Sequence, residues 1–241
     1  MLWTLAGAVG LCAALGLAGP VHALTFDVTV TDGTMMQNQQ VEATFDDVTG
    51  LYTSDPNAAA DLGMMGRWMF TEFDVTFNPD PNISASFNIT NTFGSVSNFT
   101  VKVEAPIAAL ATTVRGGSAQ GGLTDANGDG ATLGILGTPA FYTALVDGAG
   151  AHTLYNDPNG SLNVGAFGSG NLSPLEDFGT PIPSLPGGAV NTKIGVVFNF
   201  SLTPSDRATG SGVFVVELPE PSTLLLLGFG LLGIAAFRRQ H

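Results

Sequence analysis

The chain has 241 residues, a formal net charge of −13 and a mean hydropathy of +0.30, so an apolar composition carries a strong acidic excess. A field of that sign repels phosphate backbones and anionic lipid headgroups, which excludes nucleic acid as a partner and leaves neutral glycans and divalent cations. The one cysteine, Cys12, falls in an N-terminal apolar segment, so the rest of the chain offers no disulfide, thiolate nucleophile or cysteine metal ligand.

Leu2 to Leu17 is mostly apolar, Gly19-Pro20 breaks a helix there, and Val21-His22-Ala23 places small residues where a signal peptidase reads. Residues 1–23 are therefore predicted to form a signal helix, cut between Ala23 and Leu24, although no Lys or Arg precedes the apolar stretch. The exported domain is then residues 24–218, long enough for one sizeable core. Within it five basic residues (Arg67, Lys102, Arg115, Lys193 and Arg207) face 19 acidic ones.

Leu24, Phe26, Val28 and Val30 alternate with Thr25, Asp27, Thr29 and Thr31, the period-two pattern of a strand with one buried face. Met64, Met65 and Met69 surround Arg67-Trp68; thioethers without a histidine or cysteine make a weak metal set, so these methionines are expected to fill core. Phe73, Val75 and Phe77 form the next alternation, and Asn78 to Asn82 is a turn because its two prolines fix φ. Ile83, Ala85, Phe87 and Ile89 repeat the pattern, as do Phe99, Val101 and Val103. Glu72 and Asp74 sit on one strand face with Cα atoms about 6.6 Å apart. That spacing superficially suits a glycosidase pair, but both carboxylates point the same way instead of flanking a bond, so a solvated face is expected.

From Gly116 to Gly188 the chain is rich in Gly, Ser, Asn and Pro, and reads as long loops at the ends of sheets, where binding usually happens. Asp125-Ala126-Asn127-Gly128-Asp129-Gly130 resembles the opening of a calcium loop of the EF-hand or dockerin kind: oxygen ligands at Asp125, Asn127 and Asp129, with a glycine for the sharp turn. The twelfth position is Leu136 instead of a bidentate acid, which rules out an EF-hand proper. Calcium there would need ligands from elsewhere, and an acidic Gly-rich turn is the alternative. His152, the one histidine between the two terminal segments, lies beside Ala151 and Thr153 and is expected at the surface. With no cysteine in the domain, a Ser-His-Asp arrangement would need this one surface residue as its base, so catalysis has little support and no enzyme is expected.

Val196, Phe198, Phe200 and Leu202 are expected to pair in a hairpin with Val213 to Leu218. The second of these strands is apolar on both faces and so central. Many short strands separated by Gly, Asn and Pro, with no convincing amphipathic helix between Leu24 and Leu218, point to an all-β fold. The predicted architecture is an antiparallel, jelly-roll-like β-sandwich with Gly-rich loops, bracketed by the N-terminal signal helix and a C-terminal hydrophobic helix.

Residues 219–241 read as an address. Pro219-Glu220-Pro221 is followed by a 14-residue apolar run from Leu224 to Phe237 and then by Arg238-Arg239. As a helix that run spans about 21 Å, short of the ~30 Å bilayer core, and the arginines hold its end on the cytoplasmic side. A single-pass anchor is one reading. The ordered motif, however, resembles the PEP-CTERM sorting signal. That resemblance implies a Gram-negative-type bacterium that makes extracellular polysaccharide, transient anchoring in the inner membrane by the C-terminal helix, cleavage near Pro219-Glu220-Pro221 by the transpeptidase exosortase, and delivery to the cell surface or extracellular matrix. The expected partners are signal peptidase, exosortase and exopolysaccharide. The expected role is structural and non-enzymatic, with a glycan-binding module, calcium-dependent through Asp125, Asn127 and Asp129, as the alternative.

Overall fold

The structure is a computed structural model that describes residues 24–219; the signal segment, Ala23 included, and the sorting tail beyond Pro219 lie outside the described residues, as do both expected terminal helices. The first half of the chain forms β1 (Leu24–Thr31), β2 (Met36–Asp46), β3 (Leu51–Ser54), the single turn α1 (Ala58–Asp61), β4 (Trp68–Asn78), β5 (Asn82–Asn91) and β6 (Ser97–Pro106). The second half forms β7 (Thr113–Thr124), β8 (Ala131–Ile135), β9 (Tyr142–Val146), β10 (Ala149–Leu154), β11 (Ser161–Val164), β12 (Ser169–Asn171), β13 (Glu176–Phe178), β14 (Leu185–Gly187), β15 (Lys193–Leu202) and β16 (Arg207–Glu217).

All pairings between these strands are antiparallel, in the spatial order β10-β9-β15-β6-β1-β2-β3-β4-β5-β16-β7-β12. This long sheet curls back on itself so that β15 meets β16 and β5 across the core, giving the antiparallel sandwich expected from the alternating pattern. Alternation decides which side faces in: Phe26, Val28 and Val30 of β1, Ile83, Phe87 and Ile89 of β5, and Phe99, Val101 and Val103 of β6 are all buried. Rings dominate the core. Phe198 of β15 packs edge-on against Phe87 of β5 at 5.1 Å between centroids and against Tyr142 of β9 at 5.5 Å, while Phe200 stacks on Phe87 at 6.0 Å. Pairs in this geometry add about 0.5–1.5 kcal/mol each beyond burial.

Three expectations are corrected. First, β15 and β16 do not form a hairpin: β15 pairs with β6, β8 and β9, whereas β16 pairs with β5 and β7. Residues 203–206 carry the chain from one layer to the other, so each strand keeps two neighbours and faces its sequence neighbour across the core. Second, the segment from Gly116 to Gly188 is not simply loops; it contains most of the 12-residue β7 and all of β8 to β14. Third, the methionines are not all core. Met64 packs against it, but Met65, in the turn before β4, is fully exposed, and Met69 is 48% exposed because it takes the outward position of β4 between buried Trp68 and Phe70.

The register also sets the two ends of the sandwich. Lys193 lies opposite Pro106, Asn78 opposite Asn82, and Glu217 opposite Val114 at the end where β1 begins. At the other end Asn91 of β5 donates to the Leu202 carbonyl of β15 at 2.9 Å, tying the layers together beside the turns at 32–35, 92–96, 125–130 and 165–168. Leu24 and Glu217 therefore leave the domain from the same end.

Candidate functional site

The Asp125 loop sits at the end opposite both chain exits, between β7 and β8. Asp125 is 2% exposed, and its two oxygens accept four backbone N–H groups: Asn127 at 3.2 Å and Gly128 at 2.9 Å on Oδ1, Gly130 at 3.0 Å and Phe167 at 2.7 Å on Oδ2. Burial opposes this charge, but the N–H groups of Gly128, Phe167, Gly130 and Asn127 outweigh it and hold the carboxyl below the usual carboxylate range. Asn127 Oδ1 in turn accepts the Asp129 N–H at 3.2 Å.

The fold adds a residue that the linear motif could not show. Asp206, fully buried in the link between β15 and β16, brings a carboxylate oxygen within 4.8 Å of Asp125 and Asp129. It arrives there because Arg207 of β16 is opposite Thr124 of β7. Burial, reinforced by the Asp125 charge, pushes the Asp206 carboxyl up, against the Thr203 hydroxyl and the Ala126 N–H that it accepts. Calcium wants six to eight oxygens. Both oxygens of Asp125, both oxygens of Asp206 and the Asn127 side-chain carbonyl already accept protein hydrogen bonds, which leaves the Asp129 carboxylate, among the described residues, as the one side chain of the set with both oxygens free, a short donor set.

A second polar surface covers the outward face of β2, β1 and β6, where a cleft of about 520 Å³ is lined by Asp27, Thr29, Asn38, Gln40, Lys102 and Glu104. Glu104 is 2% exposed and accepts the ammonium groups of Lys102 at 2.8 Å and Lys193 at 2.9 Å on one oxygen. Burial works against its charge, and the two lysines overcome it, so the carboxyl is held below its ordinary value. Beside it Asp147 accepts the backbone N–H groups of Thr192, Asn191 and Lys193, which pull its carboxyl far down.

The catalytic candidates separate. His152 is on β10 instead of in a loop, with its ring stacked on Phe178 at 4.0 Å between centroids; burial lowers its pKa. Glu72 and Asp74 are exposed on the outer face of β4, opposite Asn88 and Ser86. No helix among the described residues is long and apolar enough to cross a membrane. Of the sorting motif, Pro219 is the last described residue; Glu220, Pro221, Arg238 and Arg239 lie outside the described residues.

No curated protein matches the chain. Among solved structures it is similar to TmCBM61, determined in complex with beta-1,4-galactotriose, at 11% identity over 72% of this chain and 85% of that chain, with a TM-score of 0.23. A likeness at that level carries no argument about function. Residues 217–240 match the PEP-CTERM protein-sorting motif, beginning at the last residue of β16, and the chain is therefore an exported protein addressed to the cell envelope and to processing by exosortase.

Proposed function

We propose that the β-sandwich is released by signal peptidase between Ala23 and Leu24, held briefly at the inner membrane by its C-terminal helix, and passed by exosortase to the cell surface or extracellular matrix. Its role there is structural, in association with exopolysaccharide, and not enzymatic. The observation that carries this is the direct junction of β16 with the sorting motif at residue 217, at the end from which Leu24 also leaves. A domain joined to the membrane by that end presents its other end outward. The stacking of His152 on Phe178 and the solvated position of Glu72 and Asp74 support a non-enzymatic role. The intact mass of the protein recovered from its own cells, with and without exosortase, is the test. A species from Leu24 to near Pro219 that requires exosortase is expected; retention through His241 in its presence would mean a simple anchor.

A second reading, a glycan-binding module that uses calcium, is favoured by the meeting of Asp206 with Asp125 and Asp129. Millimolar Ca²⁺ would then raise the melting temperature and EGTA would reverse the rise, by linkage of the ion to the native state. An unchanged melt removes the calcium, and leaves Asp125 as an organiser of its turn.

A further inference from the structure

Four non-glycine residues among those described have positive φ, a conformation that costs a bulky side chain roughly 1–2 kcal/mol. Three of them gain something inside the protein. Asp147 collects backbone N–H groups, buried Tyr155 donates its hydroxyl to the carbonyls of Ala119 and Pro174, and Ser205 turns the chain between the two layers. The fourth, Phe167 at φ 55°, displays its ring to solvent and is 76% exposed.

Phe167 is held in that posture. Its backbone N–H is clamped by the buried Asp125 carboxylate at 2.7 Å. The tip of its ring rests over Gly128, where a Cβ would lie 2.3 Å from Cζ, so residue 128 has to be glycine for the ring to sit there. Ordinary exposed apolar residues need no explanation. One whose backbone is strained, whose N–H is fixed by a buried charge, and which stands at the end facing away from both chain exits calls for one.

We propose that Phe167 is the stacking platform of a binding site for a neutral polysaccharide. The proposal rests on the polysaccharide association argued above and names its contact. The apolar C–H face of a pyranose ring covers an aromatic ring, while sugar hydroxyls at its edge need polar groups beside it. Asn127 and Asp129 flank the glycine beneath the ring tip and supply them. The acidic surface repels uronic acid and sulfated polymers, which restricts the ligand to uncharged chains. The calcium-like loop then has another job: Asp125 positions Phe167.

The test is affinity electrophoresis of the processed protein recovered from cells, in gels containing soluble β-1,4-galactan, hydroxyethylcellulose or galactomannan. The wild type is expected to be retarded by at least one of these. Phe167→Ala weakens the retardation at least tenfold, and Phe167→Trp keeps it. Phe167→Gly loses it while melting higher than the wild type, because glycine relieves the left-handed backbone; that pairing separates lost contact from lost fold. Equal retardation of the wild type and Phe167→Ala overturns this site and leaves polysaccharide association standing. No retardation of the wild type by any polymer overturns both. A change in sedimentation of Phe167→Ala, with retardation unaltered, would make the ring a protein contact and also overturns the proposal.

Discussion

β15 and β16 face one another across the middle of the sandwich and fill that space by opposite means. β15 sends in Val196, Phe198, Phe200 and Leu202, all fully buried. β16 meets them with Ala208, Gly210 and Gly212 before its own Phe214 and Val216. A Cβ at Gly210 would lie 2.5 Å from the Phe87 ring, and one at Gly212 would lie 2.7 Å from Tyr142 and 3.0 Å from Phe198. The rings of one layer therefore occupy the volume that side chains of the other give up, so bulk and glycine are one packing solution shared between two strands.

Breaking the bulky side has the largest expected effect. Phe198→Ala removes a ring that touches Phe87, Phe141 and Tyr142, and should destabilise the domain by about 4 kcal/mol in urea unfolding. Breaking the glycine side comes next: Gly212→Val drives a branched side chain into Tyr142 and Phe198, at a cost of about 3 kcal/mol. The double variant sharpens the comparison. Valine at 212 partly fills the space that Phe198 vacates, so the pair should be less destabilised than the sum of the singles by about 1 kcal/mol or more; strict additivity would mean that the two positions do not share volume.

β15 also carries a glycine on its outward side, and there the roles reverse. A Cβ at Gly195 would lie 2.8 Å from Cγ of Glu104, so this glycine lets the carboxylate lie flat between Lys102 and Lys193. Glu104→Gln leaves two ammonium groups without their anion. Breaking a buried pair costs about 3–5 kcal/mol, but both lysines are about one-third exposed and screened, so about 2 kcal/mol is expected. The sign with pH follows from the lowered carboxyl. Its contribution is complete above the ordinary value of 4.5 and is lost as pH falls through the lower folded value. Glu104→Gln should therefore flatten part of the acid limb of the stability curve; an acid limb identical to the wild type would show that the pairs contribute nothing.

The same contrast explains what could be read before folding. β1, β4, β5, β6 and β15 were legible because large apolar residues mark every second position. β7 and the first half of β16 were not, because Gly117, Gly121, Gly210 and Gly212 stand at the inward positions where a hydrophobic residue would have signalled a strand. β2 escaped notice because Met36 to Gln40 is largely polar and Val41 is its only fully buried side chain. The hairpin expectation for β15 and β16 failed because adjacency in sequence says nothing about which layer a strand enters. At the candidate site, Asp125 and its neighbours were visible as a motif. Asp206 and Phe167 were not, since it is the pairing of β16 and β12 with β7 that brings them to that loop.

The smallest effect tests the seam itself. Tyr142 reaches across from β9 and donates its hydroxyl to the Val213 carbonyl of β16 at 2.9 Å, beside the space left open by Gly212. Burial pushes the phenol far above its ordinary pKa, so it stays a neutral donor at any pH the fold survives. Tyr142→Phe keeps the ring packing and removes this one bond, leaving the Val213 carbonyl to its ladder partner. The net value of such a bond is about 1 kcal/mol. A loss of that size in urea unfolding, with an unchanged denaturant slope, would show that a polar contact adds to the match of ring and glycine; no loss would show that the match of shapes alone holds the layers together.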